Sequence, residues 1–185
     1  MFETAYRSYS VARLESIYRT DEWWRPVEIA LASGNDLRQI NKINGSTVSR
    51  ATVKTIEHIL TGPGSGGLRR VGSGYELLAS GTMAHVGQMI EQHWCHMISA
   101  LNPKHKHRPQ GRMTSQEFMG LFNRVRNARN DLFHHRLVSG QDRLIEIVEE
   151  LLDLLDIHLG DTYGKIAASN VTPLAFKIPV EMRHG

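Results

Sequence analysis

The stretch from Thr114 to Leu137 constrains the fold more than any other. Its apolar residues recur at intervals of three and four over roughly six helical turns. Thr114 or Ser115 suits the N-cap, Glu117 falls in the first turn, and Ser139-Gly140 supplies a stop. On a wheel of about 100° per residue, Phe118, Leu121, Phe122, Val125, Ala128, Arg129 and Leu132 share the side expected to face a core. Asn123, Arg126, Asn127, Asn130 and His134 fall within an arc of about 100° on another side. A plain surface helix more often carries Glu and Lys there, so this is a row of hydrogen-bonding groups. Arg129 is placed among apolar neighbours. A guanidinium there needs an acid partner, a phosphate or a subunit interface, because burying the charge alone is costly.

The remaining periodicity is also helical. Phe2, Tyr6, Tyr9, Leu14, Ile17 and Tyr18 predict a first helix over 2–19. A second starts near Trp23-Trp24-Arg25-Pro26, with the proline in its first turn. The paired tryptophans read as core or interface rather than as a platform for stacking bases. Residues 82–101 predict another helix, with Met83, Val86, Met89, Ile90, Trp94 and Met97 on its apolar side. The apolar residues of 141–158 exceed a narrow stripe, which implies deep packing or dimerisation. The acidic face of that helix reads as solvated, with one of its acids a candidate partner for Arg129. The fold class is therefore mainly α. Residues 1–79 form an N-terminal helical region, 80–160 a helical bundle and 161–185 a tail with Pro173, Pro179 and little periodicity. A chain of 185 residues suits one domain with a small appendage. It has no apolar run near the length a membrane helix needs and no signal-peptide core. The single cysteine, Cys95, excludes an internal disulfide and fits a reducing, cytoplasmic setting. A net charge of +3 leans weakly toward a polyanionic partner.

Residues 34–78 carry a separate pattern. A short helix over 35–43, a turn at Asn44-Gly45, a capped helix over 49–60 and a hairpin around Gly72-Ser73-Gly74 would make a winged helix-turn-helix. Its DNA contacts would be Ser49, Arg50, Thr52, Lys54, Arg69 and Arg70. A helical hairpin followed by a glycine-rich loop fits the same residues equally well. The glycines do not form a P-loop, since no Gly-Lys-Ser/Thr follows them. His85, His93, Cys95 and His96 offer metal donors, and His93 and His96 share a face. No second cluster has ligand spacing, so no metal or other cofactor is expected. Lys104, Lys106 and Arg108 lie in a basic loop just ahead of the long helix and are candidate phosphate contacts.

The run Arg129-Asn130-Asp131-Leu132-Phe133-His134 reads R-N-x-x-x-H. It resembles the signature of the HEPN (higher eukaryotes and prokaryotes nucleotide-binding) superfamily, an Arg with an adjacent polar residue followed four to six residues later by His. With its doubled histidine, the run from Val125 to Arg136 is most similar to the abortive-infection and toxin HEPN proteins. The minimal nucleotidyltransferase-linked type carries Tyr where this chain has Arg136. The resemblance covers about 12 residues, with flanking helices over 82–101 and 141–158. It implies a dimeric helical bundle and a metal-independent endoribonuclease acting as a toxin or antiviral effector. It also implies RNA as substrate, with an antitoxin or defence-system protein as a further partner.

The residue types suit that chemistry. In metal-free RNA cleavage the ribose 2′-OH attacks the adjacent phosphate, leaving a 2′,3′-cyclic phosphate and a 5′-OH. The reaction needs a base, an acid and positive charge on the phosphorane. Histidine in general serves as base or acid, and a guanidinium holds two phosphate oxygens in a fork. The catalytic candidates are thus Arg129, His134 and Asn130. Arg126, His135 and Arg136 join Lys104, Lys106 and Arg108 as substrate contacts. Arg129 and His134 stand about 140° apart on a straight helix, so a helix bend or a composite site in a homodimer is needed to bring them together. The alternative is a nucleic-acid-binding regulator with a winged helix and a non-catalytic dimerisation domain, contacting DNA through 36–78.

Overall fold

The long amphipathic stretch becomes helix α7 (Ser115–Phe133) in the computed structural model, which describes residues 2–63, 67–101, 112–138 and 140–157. The start follows the sequence. The Thr114 hydroxyl accepts the Glu117 amide at 3.2 Å, and the Glu117 carboxylate accepts the Thr114 amide at 2.8 Å, a capping box. The end comes four residues before Leu137. His134 is the C-cap, and His135 takes a left-handed conformation at φ +54°. Its amide reaches the Leu132 carbonyl at 3.1 Å and the Arg136 amide reaches the Asp131 carbonyl at 2.8 Å. These two bonds form a Schellman motif, a stop usually given to glycine. Gly140, expected to end this helix, instead begins the next one with φ +67°.

Mainly α architecture is what the described residues show. Before α7 come α1 (Phe2–Tyr18), α2 (Arg25–Ala32), a 3-10 turn (Leu37–Gln39), α3 (Arg50–Leu60), α4 (Gly74–Ser80), α5 (Met83–Gln92) and α6 (Trp94–Ile98). After it comes α8 (Gln141–Asp153). Strands β1 (Lys42–Ile43) and β2 (Ser46–Thr47) pair antiparallel across Asn44-Gly45, both at positive φ as a two-residue hairpin turn demands.

Two elements differ from expectation. The helix over 35–43 shrinks to a single 3-10 turn, because Asn44 and Gly45 close a hairpin before it can extend. The expected wing around Gly72-Ser73-Gly74 does not form, because Ser73 caps α4 and accepts the Glu76 amide. The only hairpin among the described residues therefore precedes α3, which is the reverse of a winged helix. The helix over 82–101 is also split in two at His93.

One core runs from Tyr6 to Leu154 and crosses residue 79. Trp23 and Trp24 are buried within it, as their pairing suggested. Helix α1 packs against α4, α5, α6 and α8. The Tyr6 hydroxyl donates to the Leu151 carbonyl at 2.6 Å, and the Tyr9 hydroxyl donates to the Met97 carbonyl. Helix α8 packs on both α7 and α1, so more of its circumference is covered than one stripe. Glu150 and Asp153 are buried in consequence, although the acidic face read as solvated. The tail from 158 onward and most of the basic loop lie outside the described residues.

Aromatic side chains hold α7 in place. Phe118 and Phe122 stack at 5.6 Å, with Trp94 at 5.2 Å from Phe118 and Tyr6 at 5.4 Å from Phe122. Gly87 lets α5 approach closely; a Cβ there would sit 3.1 Å from the Phe122 ring. These contacts fix α7 up to Ala128 and leave its last turn beyond the bundle.

Candidate nucleic-acid interface at the end of α7

The apolar stripe of α7 is buried at Phe118, Phe122, Val125 and Ala128, and then it loses its partners. Leu132 is 62% exposed and Phe133 72%. Arg129, expected among core residues, has a side chain 48% exposed. The reason is length: α7 continues a full turn past the last described side chain that packs on that face.

Arg129 does find an acid, though from the opposite end of the chain. Its Nε lies 3.4 Å from Glu3 on α1, rather than from an acid of α8. Glu3 also holds the buried Arg7, whose Nη2 bonds its other oxygen and the Gly81 carbonyl at 3.1 Å. One carboxylate thus bridges two guanidinium groups. The Arg129 Cζ lies over the Phe133 ring, 4.9 Å from its centroid. An exposed ion pair of this kind contributes little to stability, but it restricts where the guanidinium can sit. The guanidinium makes no hydrogen bond with a described residue, and its side chain is about half exposed.

His134, Asn130 and His135 are all exposed. None makes a side-chain hydrogen bond among the described residues, so their ring nitrogens and amide face solvent. Arg126 bonds the Asn127 amide oxygen through Nε and Nη2 at 3.3 and 3.2 Å. Arg136 approaches Asp131 at 3.8 Å. Among the described residues no hydrogen bond joins Arg129 to His134, and α7 ends at Phe133 with His134 as its C-cap. Lys104, Lys106 and Arg108 lie outside the described residues.

Sequence reasoning missed a cleft on the adjoining face of α7. It measures about 230 Å³ and lies between α7 and the start of α8, lined by Arg124, Asn127, Asp131, Leu137, Val138 and Leu144 among others. Arg124, Asn127 and Asp131 recur at helical spacing, which was a readable signal. What hid it was the need to know that α8 would form the opposite wall.

The other candidate positions behave differently. His93 is buried, and both ring nitrogens are engaged. Nδ1 lies 2.8 Å from the Met89 carbonyl, which can only accept, so Nδ1 carries the proton. Nε2 then accepts from the Tyr18 hydroxyl at 2.8 Å. Burial holds the His93 pKa below the usual histidine value, with the nearby His96 acting the same way and the Met89 carbonyl opposing. The His85 Nδ1 accepts the Thr82 amide at 3.1 Å in a capping box, and burial also lowers its pKa. Among the described residues no group of three His, Cys, Asp or Glu side chains is arranged to hold a metal ion. No described helix is long and apolar enough to cross a membrane. Of the proposed DNA contacts, Thr52 is buried, and Arg69 donates to the Ser80 carbonyl at 2.9 Å. Arg50 and Lys54 line a cleft of about 370 Å³ with Arg38, Asp36 and Glu57. No family model, curated protein or solved structure matches this chain.

Proposed function

We propose that this protein is a metal-independent endoribonuclease of HEPN type, acting in the cytoplasm as a toxin or antiviral effector. One observation carries the proposal: Asn130 and His134 are exposed at one helix end with no side-chain hydrogen bond to a described residue, while Glu3 and Phe133 restrain the half-exposed Arg129 guanidinium beside them. Groups kept for stability alone would more often be paired or replaced by simple solvating residues.

In the reaction, His134 takes the 2′-OH proton as O2′ bonds to phosphorus and the P–O5′ bond breaks. The leaving 5′-oxygen collects a proton from a second imidazole. Arg129 holds the non-bridging oxygens as charge builds on them, and Asn130 orients the imidazole or the phosphate. Arg126, His135 and Arg136 supply further contacts to the RNA backbone. A homodimer would place the two copies of α7 across a groove and provide the second histidine. The exposed Leu132 and Phe133 support this, since apolar side chains beside a polar site mark a surface that meets a partner. An antitoxin or defence-system protein would meet the same end of the molecule.

The test is cleavage of single-stranded and structured RNA by the purified protein in EDTA, with 2′,3′-cyclic phosphate ends on the products. Arg129→Ala and His134→Ala should each abolish cutting while circular dichroism is unchanged. Cleavage that persists undiminished in both variants would remove the proposal. A second reading, duplex DNA binding along α3, is favoured only by the grouping of Arg38, Arg50 and Lys54 in one cleft. It requires that Arg50→Ala weaken duplex binding without touching RNA cleavage.

A further inference from the structure

We infer that the cleft between α7 and α8 is a base pocket that selects guanine, formed by Arg124, Asn127 and Asp131 beside the HEPN-like motif. The inference rests on the ribonuclease reading for its place in a reaction, and its binding chemistry can be measured separately.

Size and position come first. A cleft of about 230 Å³ admits one nucleobase and little more. Asp131, the cleft residue nearest His134, lies about 60° around α7 and about 4.5 Å along its axis from it, a separation of about 8 Å at the side-chain radius of a helix. That is within the reach from a phosphate to the base of its own nucleotide. A phosphate held at His134 therefore brings its base to the Asp131 end of this cleft.

The polar groups then choose the base. Arg124 and Asp131 are seven residues apart, about 10.5 Å along the helix axis, with Asn127 between them. A purine lying between them offers one edge to each. Guanine presents N1–H and N2–H together, two adjacent donors for the Asp131 carboxylate. Its O6 and N7 are two adjacent acceptors for the Arg124 fork and the Asn127 amide. Adenine would turn its N1 acceptor toward the carboxylate and its N6 amino group toward the cation, which is repulsive at both edges. A pyrimidine is too short to meet both. Leu137, Val138 and Leu144 cover the ring faces, and Leu137 stands fully exposed at the rim. Among the described residues the Asp131 carboxylate has only the loose approach of Arg136 at 3.8 Å to give up to a base.

The experiment is calorimetric titration of the full chain in EDTA with GMP, AMP, UMP and CMP, repeated on Asp131→Asn and Arg124→Gln. GMP should bind about tenfold or more tightly than AMP. Asp131→Asn should erase most of that preference without moving the melting temperature, and Arg124→Gln should weaken GMP. Equal binding of the four nucleotides, no measurable binding, or a preference that survives both substitutions would overturn the inference. Guanine preference without RNA cleavage would leave the pocket standing and sink the ribonuclease proposal. Cleavage with no base preference would do the reverse.

Discussion

The two ends of α7 obey different rules although they belong to one uninterrupted helix. From Phe118 to Ala128 every residue of the apolar stripe meets a partner, and Tyr6, Trp94 and Gly87 leave no room for change. From Arg129 onward the same face carries Leu132 in water and a guanidinium tied to the first turn of the chain, while the neighbouring face carries the exposed His134. The difference teaches that periodicity reports which side chains could be buried, while the length of the neighbouring helices decides which ones are. Where the pattern outruns the core, the surplus is available for a ligand or a second protein.

The contrast can be broken at either end. The largest effect should come from the packed half. Phe122→Ala removes a ring with aromatic neighbours on several sides and should cost about 3–5 kcal/mol, a large share of a domain's stability. Urea unfolding measures it, and a loss below about 1 kcal/mol would mean that the two ends are less different than described. At the open end, His134→Ala should abolish detectable RNA cleavage, a loss of about 10²–10⁴-fold, with an unchanged unfolding midpoint.

A smaller effect separates the two kinds of histidine by pH. The folded pKa of His93 is lowered, so its contribution is fully present above the unfolded value of about 6.5. It is lost as pH falls below that value, because the unfolded chain then binds a proton that the folded one refuses. His93→Gln should flatten the fall in stability between about pH 6.5 and 5, and an identical slope in variant and wild type would rule out this origin. The smallest effect belongs to His135. Replacing it with glycine relieves a left-handed residue and should stabilise the protein by about 1 kcal/mol. A destabilisation would show that its side chain does more at the helix stop than the exposed ring suggests.

Much of this was legible in the residues. The capping box at Thr114 and Glu117, the proline at the start of α2 and the burial of Trp23 and Trp24 follow from local chemistry and were readable as such. The stop of α7 was not. A histidine in a left-handed conformation looks like any other helical residue until the backbone is seen, and Gly140 two residues past Val138 drew the boundary toward itself. The split at His93 escaped for a similar reason, since the hydrogen bond from Tyr18 that accompanies the break comes from a helix 75 positions away. That Arg129, Asn130 and His134 lie toward one end of a long helix was legible, but their geometry was not. Arg129 found its acid on α1, a pairing between distant segments that no local spacing encodes.

That pairing has a practical corollary. Glu3 belongs to the opening turn of the chain, and its carboxylate sits against Arg129. Any polypeptide joined ahead of Phe2, whether an affinity handle or a natural extension, emerges within side-chain reach of Arg129, the residue proposed to hold the scissile phosphate. N-terminal fusions are therefore perturbations in their own right, and activity measured on them should be compared with the same protein after the fusion has been cleaved away.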